Sequence, residues 1–176
     1  MKLQVFTLSF FSLVFMGCGE NATVPSSSNI ESPSKAILLN DSHTMLKENN
    51  KIRASLYAGQ PLRWSQNLAN NAQNHANALA RSNTFRHSGT SNGENLFATS
   101  GKSGYVSALK GWYGEKNNYN ITTNTCKPSK VCGHYTQIVW KDTKEVGCGQ
   151  AKSASWGTII VCQYSPAGNY RGQKPY

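Results

Sequence analysis

Acidic side chains are scarce in this chain: eight Asp and Glu stand against 18 Lys and Arg in 176 residues, a formal charge of +10. The cations are scattered singly from Lys47 to Lys174. A nucleic-acid binder concentrates its charge on one element, so no nucleic-acid partner is expected, and the basic balance fits adhesion to anionic envelope material or, more simply, solubility. No Cys-x-x-Cys spacing occurs, which argues against a structural zinc knuckle. Ser88 adjoins His87, but neighbours in sequence rarely form the Oγ–imidazole geometry that a serine nucleophile needs, so none is expected. Beyond residue 16 there is no further long apolar run and no internal repeat, so the remainder suits one domain with a proper core.

The N-terminus carries the longest apolar stretch. Lys2 precedes Leu3 to Met16, a run with the length of a signal-peptide core and too short to span a bilayer. It ends at Phe15-Met16-Gly17-Cys18, which resembles a bacterial lipoprotein cleavage site. That resemblance implies residues 1–17 as signal peptide, acylation of Cys18, export, and a membrane-anchored lipoprotein at the cell surface or outer membrane. Residues 18–38, rich in Ser, Asn and Pro, are expected to form a flexible tether, with the domain at 39–176.

Setting Cys18 aside leaves Cys126, Cys132, Cys148 and Cys162. An even number in an exported chain implies two disulfides. Periodicity then predicts three helices. The first is capped by Asp41 or Ser42 and ended by Gly59. The second starts after Ser65, with Leu68, Ala69, Ala72, Ala76 and Leu79 on one face. The third covers Tyr105 to Lys116. Glu145–Lys152 and Thr158–Ser165 read as strands joined by a turn at 153–157. Helices followed by strands, without alternation, predict an α+β fold with an antiparallel sheet.

Four local patterns occur in an order similar to that of the CAP superfamily, the cysteine-rich secretory, antigen-five and pathogenesis-related proteins. They are Asn50-Lys51-Ile52-Arg53, GENL at 93–96, GHYTQIVW at 133–140, and the C-x-Y-x-P-x-G-N-Y ending that runs from Cys162 to Tyr170. The closing Gln173-Lys174-Pro175-Tyr176 is similar to that of the plant members. The resemblance implies a three-layer α-β-α sandwich with a central antiparallel sheet, and disulfides Cys126–Cys132 and Cys148–Cys162. It also implies that a further disulfide of the plant members, between positions near Asn83 and at Ser153, is absent here.

The same resemblance implies that His87, Glu94, Glu115 and His134 line one cleft. Three chemistries stay open for such a tetrad. The two histidines can ligate zinc or another divalent metal with a glutamate orienting a ring. The four groups can form an acid/base cluster, with Glu94 and Glu115 as the catalytic candidates. They can also form a structural network. His43 and His75 are expected on the solvated surface. Trp112 is expected in the core, and with Tyr113 and Tyr119 it can alternatively line an apolar groove. The leading expectation is a non-enzymatic, lipid-anchored binding module for a lipid or sterol-like ligand or an envelope or host surface component. The alternative is a metal-dependent, peptidase-like hydrolase of extracellular peptides or envelope polymers.

Overall fold

The computed structural model describes residues 33–56 and 58–176. The expected signal peptide, Cys18 and most of the expected tether therefore lie outside the described residues. The last part of that tether is corrected: α1 already begins at Pro33 and runs to Ser55 (Pro33–Ser55), not at Asp41 or Ser42. Asp41 caps a different helix. Its carboxylate accepts the backbone N–H groups of Tyr105 and Val106, at the start of α3 (Tyr105–Gly114).

The sheet forms the middle layer, in the order β1 (Arg63–Trp64), β5 (Glu145–Ser153), β6 (Gly157–Ser165) and β2 (Gly93–Thr99). Strands β5, β6 and β2 pair antiparallel, as expected, while the two-residue edge strand β1 joins β5 in parallel. Strand β2 was not foreseen. Its sequence, Gly93-Glu94-Asn95-Leu96-Phe97-Ala98-Thr99, has no clean alternation because both of its faces meet other layers.

Alternation along β6 builds two cores. Ile160, Cys162 and Tyr164 pack with Met45, Leu109 and Trp112 from α1 and α3. Ile159 and Val161 pack with Ala72, Ala76 and Leu79 of α2 (Gln66–Ser82). The small face of α2 is matched on β5, where a Cβ at Gly147 or Gly149 would strike the backbone of Ala69 or Gln73. Helix and sheet thus approach at backbone distance, which only glycine permits there. Two helical layers enclose the sheet, the three-layer α-β-α sandwich.

Both disulfides form with the expected partners. Cys148 and Cys162 stand directly opposite each other on β5 and β6, with Cα atoms 4.1 Å apart. Cys126 of β4 (Thr125–Cys126), which pairs with β3 (Tyr119–Asn120), is bonded to Cys132, 5.7 Å away between Cα atoms. Cys132 in turn caps α4 (Gly133–Ile138), a six-residue helix that periodicity alone did not reveal.

The Asn50–Arg53 pattern of α1 is structural. Asn50 exchanges two hydrogen bonds with the backbone of Leu62, at 2.8 and 3.0 Å. Arg53 is 1% exposed and donates to the carbonyls of Trp140 (2.7 Å), Gln60 (2.9 Å) and Thr143 (3.2 Å). Burial lowers its pKa to about 10, still well above neutral pH. A charged guanidinium with only carbonyl partners therefore ties α1 to the segment after α4.

Candidate functional site

The four site residues come from four places in the chain: His87 from the loop after α2, Glu94 from β2, Glu115 from the end of α3, and His134 from the first turn of α4. The structure joins them as two separate pairs. His87 Nδ1 lies 2.8 Å from Glu94 Oε1, and His134 Nδ1 lies 2.7 Å from Glu115 Oε1. Both pairs are fixed to β2, because Asn95, the residue after Glu94, donates to the His134 carbonyl at 3.1 Å.

Each carboxylate accepts three N–H donors. Besides His87, Glu94 accepts the Ser88 backbone N–H at 2.9 Å and the Gln163 side-chain amide at 3.1 Å. Burial alone would raise the Glu94 pKa, since its side chain is 5% exposed. The hydrogen bonds from Ser88, His87 and Gln163 outweigh burial and hold it below the ordinary carboxylate value. Glu115 accepts the backbone N–H groups of His134 at 3.0 Å and Tyr135 at 3.3 Å, which caps α4 from outside the helix. Gln163 was missed in the sequence. Its only signal is its register on β6 directly opposite Glu94.

A carboxylate that only accepts fixes the tautomer of its histidine. Nδ1 carries the proton in both rings, so each neutral imidazole keeps its lone pair on Nε2. This is the orientation that carboxylate–histidine pairs impose on metal ligands. His87 has a side chain 62% exposed and His134 one 28% exposed, so His87 is the more open of the two rings. Among the described residues, no three His, Cys, Asp or Glu side chains converge on one metal position. Any divalent ion would rest on the two Nε2 atoms and on ligands from outside these groups.

Around the pairs the surroundings differ. His87 lines a groove of about 390 Å³ with His75, Ser82, Thr84, Arg86 and Ser88. His75, expected merely on the surface, sits in that groove with Nε2 2.9 Å from the Arg86 carbonyl, whereas His43 is exposed. The aromatic groove expected of Trp112, Tyr113 and Tyr119 does not form as one surface. Trp112 is 2% exposed, donates to the Leu96 carbonyl and stacks on His134 at 6.3 Å, while Tyr113 and Tyr119 pack against Tyr135.

The rest of the GHYTQIVW segment holds the C-terminus. Tyr135 Oη meets Tyr176 Oη at 2.8 Å, Thr136 donates to Asn169 Oδ1 at 2.7 Å, and Gln137 accepts the Gly168 N–H at 3.0 Å. Of this segment, only His134 turns toward the site.

Comparison with known proteins agrees with this architecture. The family model for the CAP, cysteine-rich secretory proteins matches residues 46–164. The chain is 44% identical over 127 residues to pathogenesis-related protein 1 of Arabidopsis thaliana, covering 72% of this chain and 77% of that one. It is 40% identical over 137 residues to pathogenesis-related leaf protein 4 of Solanum lycopersicum, covering 78% and 84%. Among solved structures, it resembles NaASP2 with Zn2+ (TM-score 0.61, 26% identity, 76% of this chain and 83% of that one). It also resembles BmVAL-1 (TM-score 0.62, 28% identity, 77% and 81%).

Proposed function

This chain belongs to the CAP, cysteine-rich secretory protein family, and on that premise we propose that it is an extracellular binding module whose two histidines hold a divalent metal such as zinc. The observation that carries the reading is the contact of each ring's Nδ1 with a carboxylate oxygen, at 2.8 and 2.7 Å, which leaves the Nε2 lone pairs of His87 and His134 for a metal. The zinc-bearing relative supports the same choice of metal. Water, a ligand or a partner's side chain completes the coordination, so the metal couples the site to whatever the module binds. The partner is a lipid or sterol-like ligand or an envelope or host surface component, and Cys18 acylation would present the module at the membrane.

The donors on the two glutamates support binding over turnover. Glu94 and Glu115 each accept three N–H groups, which commits most of their acceptor capacity to groups of the fold. The competing reading, a metal-dependent hydrolase, asks the remaining lone pair of one of them to take a proton from metal-bound water. Incubating the purified chain with panels of peptides and envelope glycans, with and without chelator, separates the two. No turnover is expected in any condition. Turnover that chelator stops and Glu94→Gln abolishes would replace the binding module with a hydrolase.

A further inference from the structure

A few of the basic residues that lie singly along the sequence fall on segments that the fold brings to one end of the sheet. That end is formed by the β5–β6 turn, the end of β2 with the loop that follows it, and the residues just after α2. Ser153 pairs with Gly157, and Thr99 pairs with Gly157 and Thr158. Thr158 Oγ1 donates to the Gly101 carbonyl at 2.9 Å. Phe85, three residues past the end of α2, stacks on Trp156 of the turn, with ring centroids 5.2 Å apart.

Arg81, Lys102 and Lys152 are exposed on the segments that form this end, and none forms an ion pair among the described residues. No Asp or Glu occurs in residues 80–91, 98–104 or 150–158. Asp41, which approaches Gly104, is committed to the first turn of α3. Glu94 and Glu145 belong to the opposite end, at the start of β2 and β5.

Phe85 and Trp156 remain 38% and 39% exposed although stacked. Two adjacent rings held open to solvent between segments that carry cations and no acids have an apolar face to cover and positive charge to neutralise. A soluble polyanion answers the charge and leaves the rings wet. A bilayer surface answers both, with phosphates at the cations and aromatic rings at headgroup depth.

We propose that the Phe85–Trp156 end of the sheet docks on an anionic lipid surface. The docking is independent of the His–Glu pairs and of any acyl chain on Cys18. It would set the orientation of the domain on a membrane, with the β5–β6 turn facing the headgroups.

The test uses the full chain carrying Cys18→Ser, so that every sample shares one unacylated N-terminus. Vesicles of phosphatidylcholine alone, or mixed with phosphatidylglycerol, are titrated while tryptophan emission is followed. Trp112 and Trp140 are each 2% exposed, and Trp64 is half-buried at the start of β5, so the part of the shift that Trp156→Ser removes is the part that reports on Trp156. The expected result is a blue shift and tighter binding with phosphatidylglycerol, weakened by salt. Arg81→Ser and Lys102→Ser should each weaken binding about fivefold. Trp156→Ser should remove the shift, and Phe85→Ser should weaken binding further. These side chains are exposed, and unchanged thermal unfolding of each variant excludes misfolding as the cause. Equal binding to both vesicle types, or variants that bind like the parent, would overturn the proposal. So would dextran sulfate capturing the chain with the same dependence on Phe85 and Trp156.

Discussion

Glu115 holds His134 at two points: one carboxylate oxygen accepts the ring Nδ1–H at 2.7 Å and the other accepts the same residue's backbone N–H at 3.0 Å. One side chain therefore sets both the tautomer of the imidazole and the position of the helix that carries it. Stability and site geometry are coupled at this residue.

The first prediction follows from that coupling. Glu115→Ala leaves two backbone N–H groups of α4 without their acceptor and should cost about 1–3 kcal/mol. Glu115→Gln keeps an acceptor and should cost less. Thermal or denaturant unfolding measures the difference, and equal losses in the two variants would contradict the capping role.

A second prediction concerns acid. The folded pKa of Glu94 is lowered, so its contribution is fully present above the unfolded value, near 4.3, and is lost as pH falls through the folded value. Glu94→Gln should flatten the stability profile of the protein in that acid window and leave its shape near neutral pH unchanged. Unfolding temperatures recorded across the acid range would reveal it, and parallel profiles would remove Glu94 from the acid response.

Arg53 supplies the third. Arg53→Ala strips the carbonyls of Gln60, Trp140 and Thr143 of a buried donor, a loss on the order of 3–5 kcal/mol. Arg53→Lys should recover only part of it, because one ammonium does not reproduce a planar fork. Chemical denaturation of the two variants ranks them, and a lysine variant as stable as the parent would refute the fork.

Replacing both Cys148 and Cys162 by Ala should cost about 2–4 kcal/mol, since the bridge closes a loop of sequence separation 14 inside the core. Sheet order is nevertheless specified by the flanking β-branched residues, so the reduced protein should retain its far-ultraviolet circular dichroism under mild conditions. Loss of that signal on reduction alone would show that the bridge organises the sheet.

The contrast between α2 and β2 explains how far the sequence was legible. Alanines at helical spacing behind Ser65 located the start and the buried face of α2, because one face of that helix is buried and the other is wet. Strand β2 was hidden because Glu94 and Asn95 are polar residues satisfied by the fold itself, one by His87, Ser88 and Gln163, the other by the His134 carbonyl. The start of α1 was misplaced because Asp41 is a good capping residue by type, and its carboxylate caps α3 across the structure instead. The family motifs singled out His87, Glu94, Glu115 and His134. Their division into two His–Glu pairs was not legible, since no spacing in the chain encodes which glutamate reaches which ring.

Zinc titration by calorimetry on the disulfide-intact protein tests the central claim most directly. The account predicts binding that weakens as pH falls and the imidazoles take up protons. It predicts a loss of at least about tenfold in affinity in both His87→Ala and His134→Ala, and no change in His43→Ala. Parent-like zinc affinity in His134→Ala would contradict it and leave the two His–Glu pairs as structural contacts.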